Sequence, residues 1–166
     1  MGNAVLIHWI QIPLILILVY LAYIDLRTFR LPDIITLPLI LAGLLFNSFS
    51  GQGFTSCQDS IIGSILGYTS LWFLNYLYRS LKKQDGIGMG DAKLLAALGA
   101  WLGWLALPGI LLIASLTGLI GGIIWLQLNK QHHRAAFPFG PFLIIAGIIE
   151  LLWPQTLQIL LLSKLA

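Results

Sequence analysis

The sequence predicts an all-α, polytopic membrane protein with about six transmembrane helices in one bundle and both termini on the non-cytoplasmic side. Three observations carry this. Only 9% of the 166 residues are charged and 58% are hydrophobic, with a mean hydropathy of +0.92, whereas a soluble domain carries about 25% charged residues. Six apolar segments approach the roughly 20 residues that a bilayer crossing needs. The cations between those segments fall almost wholly on one side of the predicted membrane.

The first span covers about Val5–Ile24 and ends at Asp25-Leu26-Arg27-Thr28-Phe29-Arg30. It lacks a basic leading region and a small-residue cleavage site, so it reads as a retained span and not a signal peptide. The second, about Ile34–Phe49, is entered through Leu31-Pro32-Asp33. A polar loop from Ser50 to Gln58 leads to the third, about Ser60–Tyr78, with Asp59 as its expected N-cap. A basic loop, Arg79 to Gly90, precedes the fourth span, about Ala92–Leu107. This loop is polar and glycine-rich, and it is the expected mobile element. Pro108-Gly109 then reads as a tight turn into the fifth span, about Ile110–Leu128. Asn129 to Phe137 forms a polar loop with His132, His133 and Arg134, and the sixth span covers about Phe139–Trp153. Pro154 should break that helix, leaving a short apolar tail along the interface.

With six spans, Arg27, Arg30, Arg79, Lys82, Lys83, Lys93, Lys130 and Arg134 share one side, and only Lys164 falls on the other. The positive-inside rule makes the shared side cytoplasmic. One missed span would scramble this alternation. The pairs Gly63/Gly67, Gly99/Gly103 and Gly118/Gly122 would let helices approach closely, a weak signal in a chain with 17 glycines. Residues 1–166 read as a single domain. The single cysteine, Cys57, excludes an intrachain disulfide and any multi-cysteine zinc site. No metal site, cofactor or nucleic-acid partner is expected; the expected surrounding is the lipid bilayer.

The chemistry centres on Gly88-Met89-Gly90-Asp91-Ala92-Lys93. By itself Asp91 reads as the N-cap of the fourth span. The turn before it adds a second reading. Gly86, Gly88 and Gly90 leave the backbone almost bare, so a substrate strand can lie against it. Asp25 by itself reads as a solvated acid near Arg27 and Arg30, and Asp33 reads as a cap that competes for the same role. The topology puts Asp25 and Asp91 on the same face. Two carboxylates within a few ångströms cannot both ionise easily, so they share a proton. The ionised one then activates water, while the protonated one hydrogen-bonds the scissile carbonyl. Lys93 reads as a cation snorkelling to the interface or supporting the motif. Glu150 falls inside the sixth span, where a buried acid would be a functional candidate; its place beside Trp153 and Pro154 favours the outer edge.

The stretch from Asp25 to Leu39 resembles the first active-site region of type IV prepilin peptidases, and Gly88 to Gly103 resembles their second, the Gly-x-Gly-Asp motif. Phe137-Pro138-Phe139-Gly140-Pro141-Phe142 is similar to a third landmark of that family. The resemblance runs from about Leu21 to Trp153. It implies a membrane aspartyl endopeptidase with Asp25 and Asp91 as its catalytic pair, and it favours Asp25 over Asp33. Gly88, Gly90 and Lys93 would be motif-supporting or substrate-binding residues. The implied substrates are type IV prepilins or type II secretion pseudopilins. Their short basic leaders would be cut after a glycine at the cytoplasmic face of the bacterial inner membrane, with no metal or cofactor needed. Longer family members carry an additional N-terminal region, often with paired cysteines, linked to N-methylation. The resemblance therefore leads one to expect peptidase activity without methyl transfer. Two other readings stay open: another Gly-x-Gly-Asp membrane protease, such as an archaeal preflagellin peptidase or a presenilin-like enzyme, and a non-enzymatic membrane transport or assembly protein whose acids are caps.

Overall fold

A computed structural model of the chain describes residues 2–49, 53–82, 88–129 and 138–154. They form six helices: α1 Gly2–Thr28, α2 Asp33–Phe49, α3 Cys57–Lys82, α4 Met89–Leu102, α5 Leu107–Asn129 and α6 Gly140–Leu152. One 3-10 turn, Trp104–Ala106, links α4 to α5. The number and order of helices match the apolar segments. The expected basic and histidine-bearing loops lie largely outside the described residues, as do Gly86, His132, His133 and the tail beyond Pro154.

Several boundaries differ from expectation for physical reasons. Asp25 lies inside the last turns of α1, not past its end. Asp59 does not cap α3. Ser56 does, its Oγ accepting the Asp59 backbone N–H at 3.1 Å and donating to Asp59 Oδ2 at 2.7 Å. The turn between α4 and α5 falls at Gly103, whose φ of +84° suits glycine, and not at Pro108-Gly109. A Cβ at Gly103 would stand 2.6 Å from Thr55 Oγ1, which adds a second reason for glycine. Pro108 lies in the first turn of α5, where the missing N–H has no helical acceptor to lose.

The bundle is organised around α4. Its 14 residues extend about 21 Å at 1.5 Å per residue, less than the roughly 30 Å of a hydrocarbon core. It is enclosed by protein: from Asp91 to Trp101 every residue except Lys93 is buried. The helices around it present glycines. A Cβ at Gly67 of α3 would stand 2.6 Å from Leu95 O, one at Gly43 of α2 2.8 Å from Trp101 Cδ1, and one at Gly147 of α6 2.6 Å from Leu98 Cδ2. Gly63 and Gly99 face each other backbone to backbone. Small residues thus allow the close helix approach that substitutes for a hydrophobic driving force in lipid. In α5, Gly118 and Gly121 admit the rings of Phe139 and Phe142.

The end of α4 far from Asp91 leaves carbonyls without helical partners. Asn47 Nδ2 donates to Ala100 O at 2.8 Å and Trp101 O at 3.1 Å, and Ser60 Oγ also donates to Ala100 O. Trp101 Nε1 donates to Leu39 O at 2.9 Å. The outer surface is apolar, with Leu16, Phe73 and Leu119 each more than 60% exposed. Such an exterior suits lipid, not water. Two stretches, Trp9–Thr28 and Trp104–Ile124, are long and apolar enough to cross a membrane, while α2 and α6 are shorter apolar helices.

Helix directions follow from cross-bundle contacts. Gln11 of α1 reaches Leu151 of α6, while Asp25 of α1 meets Gly140 of α6, so these helices run antiparallel. One end of the bundle therefore holds Asp25, Asp33, Asp91 and Gly140. The other holds Asn47, Asp59 and Glu150. Glu150 is buried there, lining a cavity of about 120 Å³ with Thr55 and Asp59.

Candidate active site

Asp25 is positioned by the way α1 ends. The Phe29 backbone N–H donates to Asp25 O at 2.8 Å, and Thr28 Oγ1 bonds both Ile24 O and Arg30 O. Phe29 has a φ of 53°, a left-handed conformation that costs a non-glycine about 1–2 kcal/mol. This turn sends the chain back along the bundle and leaves the Asp25 side chain facing inward, 4% exposed.

Asp91 is not the cap that its position suggests. Gly88 occupies the N-cap position in an extended conformation with no side-chain cap, and the Asp91 backbone N–H donates to Gly88 O at 3.1 Å. The Asp91 carboxyl is thereby left for another use, and it is buried at 8% exposure.

Both acids converge on Gly140, the first residue of α6. A Cβ there would stand 2.5 Å from Asp25 Oδ2 and 3.4 Å from Asp91 Oδ1. The two oxygens are thus no farther apart than those distances laid end to end, and each carboxylate lies within the field of the other. The Gly140 backbone N–H lies against the Asp25 carboxylate, while Asp25 Oδ2 has no hydrogen-bond partner among the described residues. A buried carboxylate oxygen with an open acceptor site beside a second carboxyl can hold a water and share a proton. Those are the requirements of acid–base peptide hydrolysis.

The remaining predicted residues surround this pair. A Cβ on Gly88 would make ordinary contact, 3.4 Å from Asp91 Oδ2. On Gly90 it would stand 3.0 Å from Leu31 Cβ, so the Leu-Pro-Asp step packs onto the glycine turn. Lys93 neither snorkels freely nor reaches the two acids. Its Nζ donates to Asp33 Oδ1 at 2.6 Å and Oδ2 at 2.7 Å. Asp33 is more than half exposed and is turned to Lys93. Gly140 went unassigned from sequence; its signal was its place in the Phe137–Phe142 stretch. No group of three or more His, Cys, Asp or Glu able to hold a metal occurs among the described residues.

The bundle is apolar and helical, and it brings two buried, helix-borne aspartates together at one end. The model of the type IV leader peptidase family matches residues 12–123, which include Asp25, Asp33, Asp91 and Lys93, and the chain belongs to that family. It is 47% identical over 154 residues to a prepilin leader peptidase/N-methyltransferase of Aeromonas hydrophila, covering 93% of this chain and 50% of that protein. It is 46% identical over 135 residues to the protein of the same name from Dickeya chrysanthemi, covering 81% of this chain and 47% of the relative. For the Pseudomonas aeruginosa protein of that name the figures are 44% over 136 residues, 82% and 46%. The chain thus spans about half the length of these relatives. No solved structure matches it.

Proposed function

We propose that this chain is a membrane aspartyl endopeptidase that removes the short basic leader of type IV prepilins or type II secretion pseudopilins. The observation that carries the proposal is the convergence of two buried carboxyls, from α1 and α4, on Gly140. The names of the relatives support the substrate class. Asp25 and Asp91 act as one acid–base pair that titrates as a unit. The ionised carboxylate takes a proton from water as the water oxygen attacks the scissile carbonyl carbon. The protonated partner hydrogen-bonds the carbonyl oxygen, and the pair then delivers a proton to the leaving amine as the C–N bond breaks. The turn at Gly88 and Gly90 supplies backbone against which the extended cleavage segment lies. This route uses no metal or cofactor.

The membrane arrangement belongs to the same proposal: one transmembrane peptidase domain over residues 1–166, six spans in the bacterial inner membrane, and both termini outside. Arg27, Arg30 and Lys93 cluster at the end of the bundle that holds the two acids, and the positive-inside rule makes that end cytoplasmic. The experiment is to incubate the purified chain in lipid nanodiscs with a full-length prepilin and to locate the cut by mass spectrometry. A cut after the glycine that precedes the hydrophobic segment supports the reading. An intact substrate, or a cut elsewhere, contradicts it.

A further inference from the structure

The ion pair of Asp33 and Lys93 has no role in the acid–base chemistry above, and stability does not explain it. Asp33 is 56% exposed and Lys93 24%, and a pair open to solvent on its acidic side contributes only modestly to folding. Lys93 is the fifth residue of α4, just past the first turn, so it gains nothing from its own helix dipole. Asp33, at the start of α2, is well placed for its own helix, so the contact serves the lysine side.

The pair joins the two segments that carry the acids. Asp33 follows Asp25 through the left-handed turn at Phe29, and Lys93 stands two residues beyond Asp91. Leu31 is seated on Gly90 beside it. Among the described residues α1 and α4 make little direct helix contact; α1 packs on α6, whereas α4 packs on α3, α2 and α6. The spacing of the two carboxyls therefore depends on links at their own end of the bundle. Gly140 is one such link, and the segment from Leu31 to Asp33 is the other.

We infer that Asp33 and Lys93 are positioning residues. With Leu31 seated on Gly90, their ion pair clamps the turn after Asp25 onto the first turns of α4 and fixes the spacing of the two carboxyls. The functional consequence rests on the peptidase reading; the geometry does not.

The test has two arms. The first measures kcat and KM for prepilin cleavage by the full chain and by Asp33→Asn, Lys93→Met, their double variant and the exchange Asp33→Lys/Lys93→Asp. Misplacement of reacting groups by an ångström lowers rate steeply, so each single variant should lose roughly tenfold or more in kcat at unchanged KM. The double should be no worse than either single, and the exchange should recover most of the rate. Additive losses, a change in KM alone, or a wild-type kcat in the singles would overturn the clamp. The second arm needs no cleavage. Asp25→Cys/Asp91→Cys in a Cys57→Ser background is oxidised in membranes, with and without Lys93→Met. The clamp predicts several-fold slower cross-linking once Lys93 is lost, and an unchanged rate overturns it. Failure of the wild-type chain to cut any prepilin would sink the proposed function while this arm still decides the clamp.

Discussion

Replacing Gly140 with alanine probes the site at its tightest point. The backbone at Gly140 is not left-handed, so alanine meets no conformational strain and the effect is one of space alone. The added methyl carbon would stand 2.5 Å from Asp25 Oδ2 and 3.1 Å from Asp25 Cγ, where ordinary contact begins near 3.4 Å. Pro141 follows directly and stiffens the backbone, so the carboxyl must retreat, by about 1 Å. A displacement of that size costs roughly a hundredfold in rate, or about 2.7 kcal/mol in the barrier. Overpacking itself costs about 1–3 kcal/mol of stability, so folding is checked by thermal unfolding in detergent. The assay is initial-rate cleavage of a prepilin in nanodiscs. Gly90→Ala, whose Cβ would stand 3.0 Å from Leu31 Cβ, should lose less. Gly88→Ala, in ordinary contact at 3.4 Å, should mainly raise KM by roughening the substrate shelf. A folded Gly140→Ala protein that cuts at the wild-type rate would refute the placement of the reacting groups between Asp25, Asp91 and Gly140.

Other predictions follow from the same geometry. Asn47→Ala leaves the Ala100 and Trp101 carbonyls short of a donor at the end of α4 far from the acids; it should lower unfolding stability by about 1–3 kcal/mol while leaving kcat near wild type. Gly63→Leu forces α3 and α4 apart at their backbone contact, and should abolish the folded band on native electrophoresis. The pH–rate profile should be bell-shaped, since one acid must be ionised and one protonated, and its two limbs should belong to the pair. Cysteines introduced at Arg30 and Ser56 should label from opposite sides of intact inner-membrane vesicles if the six-span topology is right.

The sequence made the order of the helices legible because apolar length is a strong signal, and the charged residues between segments sorted the ends. Which face of each helix points inward was not legible. Lipid is as apolar as the core, so Leu16 on the outside and Leu18 on the inside of α1 look alike. The turn at Gly103 was missed because Pro108-Gly109 is the stronger local turn signal, yet proline is equally at home in a first helical turn. Asp91 resembled a cap because Gly88, which occupies that position, has no side chain to announce it. The convergence on Gly140 joins residues from the ends of α1, α4 and α6, and no local pattern records such distances. The Asp33–Lys93 bond was hidden for the same reason.

The most direct measurement is prepilin cleavage by membranes containing wild type, Asp25→Asn, Asp91→Asn or Asp33→Asn at matched levels of inserted protein. Asparagine keeps the size of the side chain and removes only the titrating acid. Wild type should cleave, Asn at 25 and at 91 should each fall to background, and Asn at 33 should keep a reduced but measurable rate. Cleavage that survives in both Asp25→Asn and Asp91→Asn would show that the two buried acids are structural and that the bond is cut by other means.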